Sequence, residues 1–174
     1  MAIKRGQVAE INLPSDRFCY LQYVQPGPLG DFVRVLDGIY LTRQAPPEIE
    51  RLAAHREAFL GQCRWGRLVR RPGARLCESI ELPGEDDSLI TREVPTSDTV
   101  DSDVFLTPDG HYRRGGDVRK LYPDIDLDQC PLSSLASDAL FLKRIDYGWT
   151  PAKSHVKGWL KRQADQGLLK PTTA

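Results

Sequence analysis

The sequence has 174 residues, of which 40% are hydrophobic and 28% charged, a composition typical of one soluble globular domain and not of a disordered chain. Lys plus Arg and Asp plus Glu number 24 each, so the formal net charge is zero. This balance disfavours a general nucleic-acid binder, which needs a basic excess to displace counterions from phosphate, but it leaves room for a local basic patch.

Three strands are predicted in the N-terminal part of the chain. Residues 6–13 alternate polar and apolar side chains, residues 17–24 are rich in aromatic side chains, and residues 31–36 follow a loop of proline and glycine. Alternation with a period of two is typical of half-buried strands, and short connecting loops indicate an antiparallel meander. The predicted fold class is α+β, a small antiparallel β-barrel or curled sheet with one central and one C-terminal helix, in a single domain over residues 1–174.

The central helix is predicted from residue 46 to residue 60. Pro46 and Pro47 suit the first turn of a helix. Ile49 and Leu52 recur at helical spacing, and Gly61 is a natural stop. Further strands are predicted at 64–70, 76–82, 88–94 and 103–106. A tight turn at 108–110 predicts a hairpin with 111–114, which ends at Gly115 and Gly116.

The C-terminal quarter contains helical patterns. Residues 131–139 are predicted to hold a short helical piece, whereas residues 139–142 fit either a helix or a strand. Thr150 and Pro151 suit a cap followed by a first-turn proline. An apolar stripe over basic neighbours then predicts the C-terminal helix, with Gly167 as its stop.

The sequence shows neither a membrane-spanning pattern nor a signal-peptide pattern. It has no run of about 18 apolar residues, and the basic pair Lys4 and Arg5 is not followed by an apolar segment. The four cysteines have no C-x-x-C spacing and are predicted to be free thiols packed as small hydrophobic groups. We therefore expect a cytoplasmic protein that does not bind membranes.

No sequence motif of a catalytic or metal site is evident. The sequence has three histidines, His55, His111 and His155. None has metal-ligand spacing or a neighbouring cysteine or serine motif. The acids of residues 124–128 resemble the start of a calcium loop, but Gln129 replaces the required glycine and Leu135 the closing acid. We expect no metal and no cofactor, and an extended segment at 124–128 with its acids on one face.

Charged residues are distributed unevenly along the chain. Residues 64–75 contain five arginines and no acid, whereas residues 85–103 are acidic, with Arg92 as their only base. Such separation supports docking to a partner of complementary charge, although the arginines would also be explained by pairing with the acidic loops inside the fold. Tryptophan is favoured at the centres of interfaces. The candidate partner-binding residues are Asp86, Asp87, Asp98, Asp101, Asp103, Trp65 and Trp149.

In residues 4–14 a basic residue and a glycine precede a predicted strand that ends near proline, and residues 17–24 are predicted to form a second, aromatic strand. This opening resembles that of a family of bacterial immunity proteins that accompany polymorphic toxins. The resemblance implies a cytoplasmic protein that binds a cognate toxin domain and blocks its active site or substrate approach, without being an enzyme itself.

Two alternatives remain open at this point. One is a nucleic-acid-binding module that uses the arginine-rich segment 64–75, together with Trp65. The other is a small enzyme whose site is assembled from distant residues, for example a pocket lined by His55 or His111 and a carboxylate. The oligomeric state does not follow from the sequence.

Overall fold

The computed structural model describes residues 3–27, 29–55, 57–83, 89–93, 99–132 and 137–151. The strands of this part of the chain are β1 Gln7–Asn12, β2 Phe18–Pro26, β3 Asp31–Val35, β4 Phe59–Cys63, β5 Arg75–Ser79, β6 Thr91–Arg92, β7 Val104–Leu106 and β8 Tyr112–Arg114. The helices are α1 Pro46–Ala54, α2 Trp65–Leu68, α3 Gly115–Leu121 and α4 Asp138–Asp146. The α+β class of the sequence prediction is confirmed.

The larger sheet contains five antiparallel strands in the order β4-β3-β2-β1-β5. Its centre is the predicted meander, in which Leu21 of β2 lies opposite both Ala9 of β1 and Val35 of β3. No pairing between β4 and β5 is found in the described residues, so these strands form an open sheet and not the closed barrel that was one form of the prediction.

Both faces of this sheet are covered by helices. One face contributes buried residues such as Leu21 and Val33 to the cluster that contains Phe141 of α4. The other face contributes Tyr20 to the cluster that contains Ile49 of α1. Because neither face meets solvent at its centre, β1 and β2 are buried along almost their whole length, including their polar residues.

A second sheet contains β6, β7 and β8 in that order, with α3 in contact with β7 and β8. Its core is a separate cluster around Phe105, Val118 and Leu127. The predicted hairpin is confirmed, since Leu106 pairs with Tyr112. Of the predicted strand at 88–94, the described residues contain only a two-residue strand, Thr91–Arg92.

The smaller sheet meets the larger one along residues 131–132. The amide of Arg92 donates to the carbonyl of Pro131 at 2.8 Å. The side-chain amide of Gln62, on β4, donates to the carbonyl of Leu132 at 3.1 Å. Adjacent residues of one segment therefore bind both sheets.

The second half of the predicted central helix is wrong, because α1 ends at Ala54 and residues 59–63 form β4. The cause is tertiary pairing, since β4 lies along β3 with Phe59 opposite Val35. Gly61 is not a helix stop. A Cβ at this position would lie 2.8 Å from the ring of Phe141, so glycine makes room for α4 to pack on the strand.

Three further local predictions also need correction. Residues 64–70 contain the short helix α2 instead of a strand. Gly115 and Gly116 begin α3 instead of ending the hairpin. The acidic run at 124–128 is not extended, because its end enters a 3₁₀ turn in which the Asp126 side chain accepts a hydrogen bond from the amide of Asp128.

In the C-terminal quarter, the ambiguous residues 139–142 belong to α4, whose first turn is capped by the Ser137 side chain. The predicted C-terminal helix lies outside the described residues, apart from its cap region at Thr150 and Pro151. No helix in the described ranges combines the length and the apolar character needed to cross a membrane.

Gly6 should tolerate alanine less well than Gly110. Both have φ near +80°, where a side chain costs roughly 1–2 kcal/mol. A Cβ at Gly6 would also lie 2.3 Å from the carbonyl oxygen of Ile80, whereas nothing lies within 4 Å at Gly110. We expect Gly6→Ala to lower the free energy of unfolding in urea by about 3 kcal/mol and Gly110→Ala by about 1 kcal/mol. Equal losses would contradict the close approach of Gly6 to the segment after β5.

Candidate functional site

The acidic residues predicted to bind a partner do not form one surface in the described structure. Asp86, Asp87 and Asp98 lie outside the described residues. Asp101 is exposed and forms an ion pair with Arg119 at 3.1 Å. Asp103 is 1% exposed and accepts a hydrogen bond from Nε of the buried Arg92 at 2.9 Å, so its charge is used inside the smaller sheet.

Both tryptophans predicted to contact a partner are buried. Trp65 is 1% exposed and its ring centroid lies 5.6 Å from that of Tyr23. Trp149 is 7% exposed and packs edge-on against Phe59 at a centroid distance of 5.4 Å. Their indole rings therefore stabilise the core on the α4 side of the large sheet and are not presented to a partner.

The five arginines of residues 64–75 are all exposed. α2 is a short helix whose apolar residues, Trp65 and Leu68, are buried in the main core. Anchoring these two side chains leaves the charged positions between and after them on the outside. We call the exposed set the basic strip, and it comprises Arg64, Arg67, Arg70, Arg71 and Arg75.

The basic strip keeps a surplus of positive charge. Nε of Arg67 lies 3.2 Å from the carboxylate of Asp138, and Nη2 of Arg75 lies 3.0 Å from that of Glu10. The other three arginines of the strip have no acidic partner in the part of the chain that the structure describes. Neither partner is one of Glu93, Asp101 and Asp103, the acids of the region 85–103 that belong to the described residues.

Arg75 also belongs to a polar group around Glu10, which we call the Glu10 group. Glu10 is completely buried on the α1 side of the sheet and accepts a hydrogen bond from the hydroxyl of Tyr20 at 2.8 Å. Nη1 of Arg43 lies 2.6 Å from one carboxylate oxygen, and Arg75 approaches the other. Both arginine side chains are about half exposed, at 45% and 46%, so the group reaches the surface as a pair of guanidinium ions.

Strand register brings the Glu10 group together. Glu10 lies directly opposite Tyr20 of β2 and, on its other side, opposite Arg75 of β5. Side chains of directly opposed residues point to the same face and lie within reach of each other. Burial raises the pKa of Tyr20, so its hydroxyl stays protonated and donates to the carboxylate.

A groove of about 310 Å³ lies beside the Glu10 group, between α1 and β5. We call it the β5 groove, and its lining residues are Pro46, Ile49, Glu50, Arg75, Leu76, Cys77, Glu78 and Ile80. β5 is the last strand of the sheet and pairs only with β1 among the described strands. The groove therefore runs along a strand edge whose outer hydrogen-bonding groups have no strand beside them there.

A second cavity, of about 370 Å³, lies between the ends of β3 and α4. Tyr40, Phe59, Ile145 and Trp149 are among its lining residues, and Asp37 is the one carboxylate among the described residues that line it. Its lining is mostly apolar and includes Thr150, next to Pro151, the last described residue. It presents less charge than the β5 groove for recognition of a partner.

The described ranges contain no cluster of metal-binding side chains. No set of three or more His, Cys, Asp or Glu side chains is placed to hold a metal ion there. His55 lies at the end of α1, with Nδ1 2.6 Å from the carbonyl of Arg51. The predicted free cysteines are confirmed, and burial raises the pKa of Cys19, Cys63 and Cys77, which disfavours a reactive thiolate at these positions.

Asp103 and Asp101 should respond very differently to loss of charge. Asp103→Asn leaves the buried Arg92 without its close counter-charge, so we expect the free energy of unfolding in urea to fall by about 3 kcal/mol. Asp101→Asn removes an exposed pair with Arg119 and should cost less than about 1 kcal/mol. A small loss at Asp103 would contradict a stabilising role for its buried pair with Arg92.

No protein-family model matches this chain, and no curated protein or solved structure matches it. Its function therefore has to be inferred from the contacts and exposed charges of the chain itself.

Proposed function

We propose that this protein is an immunity-type binding protein, which binds a cognate bacterial toxin domain in the cytoplasm and occludes its active site. The basic strip is the observation that carries this proposal. It presents five exposed arginines, three of which have no acidic partner in the described ranges. The toxin surface that contacts the basic strip is therefore expected to be acidic and to lie near the toxin's active site.

The strip is held on a firm support. The backbone amide of Trp65 donates to the carboxylate of Asp31 on β3 at 3.0 Å, which fixes the start of α2 against the sheet. The buried indole ring fixes the same residue from the other side. A binding surface that is already ordered loses less conformational entropy on association, and guanidinium groups bind carboxylates in paired hydrogen bonds.

The same surface favours a protein partner over a nucleic acid. Single-stranded nucleic acids are commonly bound by exposed aromatic rings on which bases stack. Trp65, the aromatic residue within segment 64–75, is buried, so it offers no such platform. The net charge of zero also weakens the long-range attraction to polyphosphate on which a general nucleic-acid binder depends.

The toxin as partner comes from the resemblance of residues 4–14 and 17–24 to bacterial immunity proteins. An inhibitor of this kind has to capture its target before the target acts, so a high association rate is useful. Opposite charges on the two surfaces raise the association rate by steering the encounter. The surplus charge of the strip is suited to that task.

Reversing two charges of the strip should slow toxin binding. We expect Arg70→Glu combined with Arg71→Glu to lower the association rate with the cognate toxin domain, to be sought among the products of neighbouring genes, by about tenfold at low salt. The doubly reversed chain should also protect toxin-expressing cells less well. Association is measured on a biosensor surface at two salt concentrations.

The matched control reverses two adjacent cations of α3, Arg119→Glu and Lys120→Glu, which lie outside the strip. The control should change the association rate by less than about twofold. An unchanged rate for the strip variant would reject the proposed surface. Tight binding of DNA or RNA with a steep salt dependence, lost in the strip variant, would instead support the nucleic-acid alternative.

A further inference from the structure

We propose that the partner also inserts an extended segment along β5, with a carboxylate opposite Arg75 and an apolar side chain two residues away in the β5 groove. This inference rests on the proposed function, because it specifies what the bound protein contributes to the contact. It joins three observations that the basic strip alone does not use: a strand edge, a pair of half-exposed arginines and an apolar groove.

The strand edge supplies the backbone contacts. β5 pairs with β1 on one side, and no described strand lies on its other side. The strand contains no proline, so each of its residues keeps a backbone N–H. Arg75 and Leu76 keep regular register with Glu10 and Ala9, and the irregularity in the pairing comes after them. An added strand is a common way of binding extended peptides.

Alternation of side chains sets the spacing of the recognised residues. Arg75 and Cys77 face α1, because Arg75 contacts Glu10 and Cys77 packs against the cluster around Ile49. Leu76, between them, packs against the core on the other face. Residues of a paired strand that face the groove are therefore also two apart, whichever direction that strand runs.

The Glu10 group explains why the partner's segment should carry a carboxylate. Arg75 and Arg43 share the single carboxylate of Glu10, which leaves one net positive charge. Besides an interaction with the thiol of Cys77, the guanidinium of Arg75 contacts the carboxylate of Glu10 through Nη2 at 3.0 Å. Its remaining N–H groups, on a side chain that is 46% exposed, can donate to an incoming carboxylate.

The rest of the groove favours an apolar side chain at the second recognised position of the partner's segment. Ile49, Cys77 and Ile80 give it apolar walls. Glu50 and Glu78 also line it, so a second carboxylate placed there would meet like charge. The recognised pattern is therefore one acidic residue and, two positions away, one aliphatic residue of about leucine size.

A short peptide tests this pattern directly. The probe is the acetylated and amidated hexapeptide Thr-Glu-Thr-Leu-Thr-Thr, titrated into the full-length, ¹⁵N-labelled protein. We expect amide shifts at β5 and at Ile49 of α1, with a Kd of about 1 mM or lower. Replacing the peptide's Glu by Gln, or its Leu by Ser, should weaken binding at least about fivefold.

Cys77 provides a second readout. It is the half-exposed thiol of the chain, whereas Cys19, Cys63 and Cys130 are buried. The peptide should slow alkylation of Cys77 by N-ethylmaleimide, and prior alkylation should block peptide binding while the NMR spectrum still shows a folded protein. Arg75→Gln should weaken peptide binding, and Arg51→Gln, on the outer side of α1, should not.

The proposal is overturned if the peptide causes no shifts at about 5 mM, or if its Glu-to-Gln version binds equally well. It is also overturned if every β5 amide of the free protein exchanges as slowly as those of β2, because the edge is then already paired, within the chain or with a second copy. Arg70 and Arg71 do not line the groove. If reversing their charges slows toxin binding but the peptide does not bind, this inference is rejected and the proposed function is kept.

Discussion

The buried carboxylate of Glu10 is the contact on which the surface features of this protein depend. A carboxylate without solvent is costly unless it is paired and hydrogen-bonded, and here one carboxylate holds Tyr20, Arg43 and Arg75. These residues come from β2, the segment before α1, and β5. One desolvated charge therefore fixes the edge strand, one wall of the groove and the end of the basic strip in a single arrangement.

Other buried arginines connect distant parts of the chain in the same way. Arg17 binds Asp146 at 2.9 Å and so ties the start of β2 to the end of α4. Arg34 donates to the carbonyls of Ala53 and His55, which holds the end of α1 against β3. The fold thus uses its acids and carbonyl groups to pair arginines inside, while several arginines of α2 and its following turn stay outside.

The sequence predicted what local alternation encodes and missed what long-range packing decides. The central meander follows from its period of two, whereas Phe59–Cys63 is a strand only because β3 lies beside it. Asp101 and Asp103 look alike in sequence, yet two residues apart one is exposed and the other is enclosed with Arg92. The basic character of the segment 64–75 is evident from the sequence, but the burial of the Trp65 side chain is not. The β5 groove was missed because its walls come from separate parts of the chain.

Burial of the central strands on both faces separates the chain into parts with different mutational tolerance. Substitutions in β1 and β2 disturb two cores at once, whereas α2 and β5 offer exposed side chains that the cores do not use. Substitutions in these two peripheral elements can therefore change the binding specificity, while the sequence of the central strands changes slowly. Divergent relatives of this chain would accordingly differ most in the stretch from Arg64 to Ser79.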